Sequence, residues 1–319
     1  MREREIENRK RMTNHQPPPT NHLLMTQAPY ALEATVRLLQ RRPVNRVDRW
    51  VDGRYCRAVR TAAGMRLVRV WEAGSVEAPD LKMAVLGGPV GDEVVGMVRW
   101  MLGLDAEPVP DAALVEREPR LGPVLDRLRG FRPPAFPDLF TTCVGVLPFQ
   151  QLSLDAGTAI LGRLVERFGP SLRVEGEEWF DFPPAEVIVG AHEAELVGVG
   201  LSRAKATALR RLAERALAGE LDRERYTGLS TAEAMVALQK LPGIGPWSAG
   251  LILLRGMRRM DVFPAGDSGA ARSLTALHDL PEKLTPREAD EIATRFGELR
   301  GYLYFLSLGS RMPWLGAED

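Results

Sequence analysis

The residues best suited to chemistry lie in one stretch, STAEAMVALQKLPGIGPWSAGLILLRGMRRMDVFPAGDSGAAR, from Ser230 to Arg272. Asp267 ends its Gly/Pro-containing loop and stands before Ser268-Gly269-Ala270-Ala271-Arg272, where a helix should begin with Asp267 as N-cap. Ordinary aspartate carboxyls titrate near ~4, so a carboxylate there is available to stabilise positive charge at neutral pH. Upstream, Ser230 and Glu233 form a capping box that starts a helix. Pro242 stops it, and Pro242-Gly243-Ile244-Gly245 reads as a tight hairpin whose two glycines take backbone angles that other residues avoid. Pro246 fits the first turn of a second helix, predicted to run to about Arg258. Two helices so joined leave consecutive amides without partners, which makes an anion site suited to a phosphate. Gly243, Ile244, Gly245, Pro246 and Ser248 are therefore the predicted nucleic-acid contacts.

The elements around the hairpin must bring Asp267 back to it, and the chain is long enough. A helix from Pro246 of about eleven residues advances roughly 16 Å, while the segment from Arg259 to Gly266 stretches up to about 28 Å. Without that context, Asp267 reads as an ordinary N-cap.

Leu241-Pro242-Gly243-Ile244-Gly245-Pro246-Trp247-Ser248-Ala249, followed by Asp261-Val262-Phe263-Pro264-Ala265-Gly266-Asp267, resembles the helix-hairpin-helix and Gly/Pro-rich-loop-plus-aspartate signature of the DNA glycosylases. The resemblance covers about residues 28 to 312 and is to the 3-methyladenine DNA glycosylase II (AlkA-like) branch, including the Pro29-Tyr30 entry to the N-terminal domain. It implies hydrolysis of an N-glycosidic bond in damaged double-stranded DNA, with Asp267 stabilising an oxocarbenium-like sugar. In relatives that also nick the strand, a lysine occupies the position of Trp247; an indole is no nucleophile, so the expected enzyme removes the base and leaves the backbone intact. The expected base pocket includes Trp247, Phe149 and Tyr302, although periodicity alone does not orient Phe149, Tyr302, Tyr304 and Phe305. By the same resemblance, the backbone carbonyls of Gln239, Leu241 and Ile244 hold a sodium or potassium ion bridging hairpin and phosphate. No other cofactor is expected. Two further readings stay open: a glycosylase for oxidised or deaminated bases, and a DNA-binding protein without catalysis.

Phe149-Gln150-Gln151-Leu152-Ser153 resembles the Gly-Gln-Gln-Leu-Ser or Gly-Gln-Leu-Val-Ser turn whose residues enter the duplex in the same family, with Phe149 in place of the glycine. Gln150 and Gln151 are expected DNA contacts, Gln151 filling the gap left by an extruded base. The plainer alternative makes Leu152 core and the glutamines a loop bonding its own backbone. Gly198-Val199-Gly200-Leu201-Ser202-Arg203-Ala204-Lys205-Ala206 opens an amphipathic helix capped by Ser202, and Arg203 and Lys205 are either phosphate contacts or a solvated face.

The remaining composition sets bounds. A chain of 319 residues, 45% hydrophobic, is long enough for two or three cores. Two cysteines, Cys56 and Cys143, cannot supply a four-cysteine iron-sulfur cluster, and His15, His22, His192 and His278 show no zinc spacing. Net charge is zero, but arginines crowd between Arg37 and Arg69 whereas Glu175 to Glu195 holds no lysine or arginine, which suggests one DNA-facing side. Neither a bilayer-spanning run nor a signal-peptide core is present, so a cytoplasmic, nucleoid-associated monomer without membrane partners is expected. Residues 1–26 read as a disordered leader or an over-extended start, with Met12 and Met25 as alternative first residues. Strand-like runs around Asp52-Gly53, flanked by two helices, predict a small antiparallel-sheet α/β domain over 27–111, similar to a TATA-binding-protein fold. Residues 112–319 predict an all-α helix-hairpin-helix domain in two lobes with an acidic loop after Gly169. The fold class is α+β.

Overall fold

Period-two patterning in the first hundred residues builds one antiparallel sheet, and helical periodicity dominates thereafter. The computed structural model describes residues 20–89 and 91–312. The first unit comprises β1 (Thr20–Leu24), α1 (Leu32–Gln40), β2 (Arg49–Val51), β3 (Arg54–Thr61), β4 (Gly64–Glu72), β5 (Leu81–Leu86) and α2 (Asp92–Leu102). The strand order is β1-β5-β4-β3-β2, with every neighbouring pair antiparallel. Asp52 and Gly53, both at positive φ, turn β2 into β3, as an Asp-Gly hairpin requires. Both helices cover one face, where Leu32, Val36 and Leu39 of α1 meet Val68, Val70, Met83 and Val85 of the sheet and Val94 and Val98 of α2.

Two expectations for this unit fail for local reasons. The polar leader does not extend to residue 26, because Thr20–Leu24 pairs with Leu81–Val85 as an edge strand; residues 1–19 lie outside the described residues. The strand-like run that precedes Asp52-Gly53 in the sequence, Val44 to Val51, forms a strand only from Arg49. Asn45 is the cause: its side-chain oxygen accepts the amides of Val47 at 2.9 Å and Asp48 at 3.0 Å, a local turn that diverts the backbone from the sheet.

The second part runs α3 (Asp111–Arg117), α4 (Gly122–Arg127), α5 (Leu139–Val146), α6 (Leu154–Phe168), β6 (Ser171–Val174), β7 (Glu177–Phe180), α7 (Ala185–Gly190), α8 (Glu193–Gly198), α9 (Arg203–Leu217), α10 (Glu224–Thr227), α11 (Thr231–Leu238), α12 (Pro246–Gly256), α13 (Ser268–Leu277), α14 (Pro286–Thr294) and α15 (Arg300–Gly309). Side-chain oxygens of Asp138, Ser153, Ser202, Ser230, Asp267 and Thr285 cap their helices. Two apolar cores result. α12 belongs to both, giving Ala249, Ile252 and Leu253 to one and Leu251 and Leu254 to the other. A helix apolar on all sides must be central, so the second hairpin helix partitions the two lobes. No helix among the described residues is long and apolar enough to cross a membrane.

This part is not all-α. The predicted acidic loop contains the β6–β7 hairpin, turned by Glu175 and Gly176 at positive φ. Its Val174 and Trp179 pack on Cys56, Ala58 and Leu67 of the first sheet, and its glutamates answer the arginines there: Arg69 with Glu175 at 2.6 Å and Arg49 with Glu177 at 3.2 Å. Arg57, 1% exposed, pairs with Asp48 at 2.7 Å and with Asp181 at 3.0 Å. The N-terminal arginines named here thus serve the junction between the two parts rather than a free DNA-facing surface.

Candidate active site

The hairpin owes its shape to its first glycine. Gly243 has φ +72, and a Cβ there would lie 2.6 Å from that of Ala208 on α9, so both conformation and packing exclude a side chain. Gly245 differs from expectation: at φ −93 and ψ −176 its backbone is extended and open to any residue. It is exposed, and an added Cβ would meet nothing within 4 Å; the space above it is clear for a ligand's backbone. The first intrahelical donor of α12 is Ala249, to the Gly245 carbonyl at 2.9 Å. The amides of Gly245, Trp247 and Ser248 therefore donate to no protein acceptor among the described residues, the arrangement that binds phosphate. Behind them, the carbonyls of Gln239 and Ile244 accept no hydrogen bond among the described residues, and that of Leu241 accepts one, from Ile244 at 3.2 Å. Oxygens with spare lone pairs at this turn fit a hard monovalent cation.

Asp267 does fold back to the hairpin. The turn Pro264–Asp267, closed by the Asp267 amide to the Pro264 carbonyl at 3.2 Å with Gly266 at φ +75, delivers it to the start of α13. One carboxylate oxygen accepts the Ala270 amide at 2.7 Å, and the other accepts the indole N–H of Trp247 at 2.8 Å. Asp267 is 8% exposed. Trp247 therefore reaches the site edge-first, with its N–H directed at the carboxylate.

The aromatic beside Asp267 from α15 is Tyr304, not Tyr302. Burial, and after it the charge of Asp267, push the Tyr304 phenol well above its ordinary range, while edge contacts to Phe263 and Phe305, each at 5.8 Å, fix its ring. Tyr302, half-buried, is raised by burial against the opposing pull of Arg132 and Arg258. Residues two positions apart on a helix point about 200° away from each other around its axis, so only one of Tyr302 and Tyr304 can face Asp267. Phe149 is also displaced from the expected pocket. Its ring occupies the space a Cβ on Gly157 would need, 2.3 Å away, and lies 5.8 Å from the Arg41 guanidinium. It lines a cavity of about 40 Å³ with Gln40, Asp48, Phe136 and Arg255, and neither Asp267 nor Trp247 borders that space.

Several expected DNA contacts turn inward. The Gln150 side-chain amide donates to the Gly243 carbonyl at 2.8 Å and the Ser248 hydroxyl at 2.9 Å, tying the Phe149–Leu152 turn to the hairpin. Ser248 is itself buried, so its hydroxyl is not a surface contact. Lys205 directs its ammonium at the carbonyls of Gln150, 2.7 Å, and Pro148, 3.3 Å, and burial lowers its pKa. Arg203, at the start of α9, is exposed. Gln151 is exposed at φ +57, and Leu152 beside it is 44% exposed. The tip of the turn is thus a glutamine and a leucine held outward by their neighbours. Spacing carried no sign of the Gln150 and Lys205 contacts, since their partners are 93 and 55 residues away.

A helix-hairpin-helix with a capping aspartate, beneath an antiparallel sheet domain, defines a base-excision repair fold. Residues 144–298 match the HhH-GPD superfamily of base excision DNA repair proteins, and residues 22–138 match the AlkA N-terminal domain. The chain belongs to the HhH-GPD superfamily, in its AlkA-like branch. It is 30% identical over 215 residues to the DNA-3-methyladenine glycosylase of Bacillus subtilis, covering 67% of this chain and 71% of that one. Identity to DNA-3-methyladenine glycosylase 2 of Escherichia coli is 28% over 249 residues, 77% of this chain and 84% of the relative. The solved 3-methyladenine DNA-glycosylase of Archaeoglobus fulgidus shares the fold, with a TM-score of 0.75, 24% identity, and coverage of 91% and 98%.

Proposed function

We propose that this protein is a monofunctional DNA glycosylase that releases alkylated bases of the 3-methyladenine type from duplex DNA in base excision repair. The observation that carries the reading is the Asp267 carboxylate, held by the Trp247 indole and the Ala270 amide beside a hairpin whose amides are free for phosphate. The hairpin grips the backbone of the damaged strand, with a monovalent cation at the Gln239, Leu241 and Ile244 carbonyls sharing the phosphate charge. Gln151 and Leu152 occupy the gap in the stack as the damaged nucleotide turns out. Asp267 then faces the sugar. As the bond to the base breaks, positive charge grows on C1′ and its ring oxygen; the carboxylate stabilises it and orients a water, whose oxygen bonds to C1′ and whose proton passes to solvent. An alkylated purine already carries positive charge and leaves as a neutral base, so no proton donor is required. The electron-rich ring of Trp247, which is partly exposed, suits such a base. Trp247 offers no amine, so no Schiff base forms and the strand stays intact. A monomer suffices, since every group named comes from one chain.

The test uses duplexes carrying one 3-methyladenine, 7-methylguanine, hypoxanthine or 8-oxoguanine. The methylated bases should be released fastest, D267N should slow release on the order of 10²- to 10³-fold while still binding duplex, and borohydride should trap no covalent complex. Preferential release of 8-oxoguanine would replace alkylated bases as the substrate class, and a trapped adduct would overturn the monofunctional mechanism.

A further inference from the structure

A second carboxylate stands behind the first. Asp290, half-buried on α14, accepts the Gly266 amide with both oxygens, at 3.1 and 3.3 Å. Burial holds its carboxyl above the ordinary aspartate range; the Gly266 amide opposes that, and the neighbouring Asp267 charge adds to it. The helix carrying Asp290 is rigid: Thr285 and Glu288 cap it reciprocally, and Ala289 and Ala293 are buried against the core that holds α13.

Gly266 is the third residue of the turn Pro264–Asp267, and its amide belongs to the turn's central peptide. That peptide plane is the one that rotates when a β-turn passes between its two common forms, and the third residue's φ changes sign with it. Gly266 sits at φ +75 with open space around its Cβ position, so neither strain nor packing at the glycine opposes the rotation. Among the described residues, its amide has one partner, Asp290.

We propose that Asp290 is a positioning residue for catalysis: by holding the Ala265–Gly266 peptide in one orientation, it sets the direction from which Asp267 enters the site. A misdirected chain there would leave Asp267 able to cap α13 but displaced from the sugar. The inference rests on the function proposed above.

Single-turnover release of a methylated base and affinity for an abasic-site duplex test it in D290A, D290N and G266A. Asparagine retains an acceptor oxygen, whereas alanine does not. D290A should slow release on the order of tenfold, D290N should stay within about twofold of wild type, and affinity should be unchanged, since misplacement costs rate. D290A and G266A act on the same peptide, so their combined effect should be smaller than the product of the two. A wild-type rate in D290A, equal losses in D290N and D290A, or multiplicative losses in the double variant would overturn the clamp. Should D290A melt below assay temperature, release is compared with wild type at a temperature where D290A is folded, with slowed release supporting the clamp and a wild-type rate opposing it. If the unmodified protein releases no methylated base, the proposed function fails; if it does while D290A is unimpaired, only the clamp fails.

Discussion

The Asp267 site and the Phe149–Leu152 turn meet at the hairpin but are held in different ways. Asp267 is fixed within its own stretch of chain, by the cap of the helix it begins and by Trp247 on the helix before it. The turn is fixed from outside, by Lys205 from α9 on its carbonyls and by Gln150 reaching the hairpin. A charge that must stand at one point is best set by short-range bonds that survive flexing elsewhere. In the proposed reaction, a tip that enters the duplex needs an exposed end and a braced base, and here the brace comes from elements distant in sequence.

Variants in the two regions should therefore fail differently. The largest effect is expected from D267N, a loss on the order of 10²- to 10³-fold in single-turnover release with duplex affinity retained, as for other groups that stabilise transition-state charge. W247F keeps the ring and removes one donor to the carboxylate; a bond to a charged group is worth about 1.5–3 kcal/mol, so release should slow roughly ten- to a hundredfold. Should W247F match wild type, the indole is a pocket wall and no orienter. K205M frees the carbonyls of Pro148 and Gln150, and a loss of about 1 kcal/mol should slow base extrusion roughly fivefold, followed by fluorescence of 2-aminopurine beside the lesion. Equal losses from K205M and D267N in a step after extrusion would erase the distinction between the regions. L152A should have the smallest effect, a slowing of about two- to threefold in extrusion alone, since a half-exposed side chain yields only part of the roughly 1.5–3 kcal/mol of a fully buried one. A greater loss in Q151A than in L152A would move the tip to the glutamine.

Legibility in the sequence followed the same division. The hairpin, its capping box, the cap at Asp267 and the Asp52-Gly53 turn between strands could be read because each depends on neighbours within a few residues. The β6–β7 hairpin could not, because its glutamates look solvated until Arg49 and Arg69 are placed opposite them. Phe149 looked like a pocket aromatic because its accommodation by Gly157 is a contact between separate elements. Tyr302 and Tyr304 were inseparable for want of the helix's rotation about its axis.

By itself, then, the sequence determined where the helix-hairpin-helix lies, that Asp267 caps the helix that follows it, and that an indole rather than an amine stands at position 247. Capping, turn formation and residue chemistry are local properties and need no packed neighbour. Only the tertiary structure decided that Trp247 meets Asp267 with its N–H, that Tyr304 is the aromatic beside it, and that Gln150, Ser248 and Lys205 brace the protein internally. Those outcomes depend on how helices are rotated and stacked around α12, and that is settled by burial of both its faces at once.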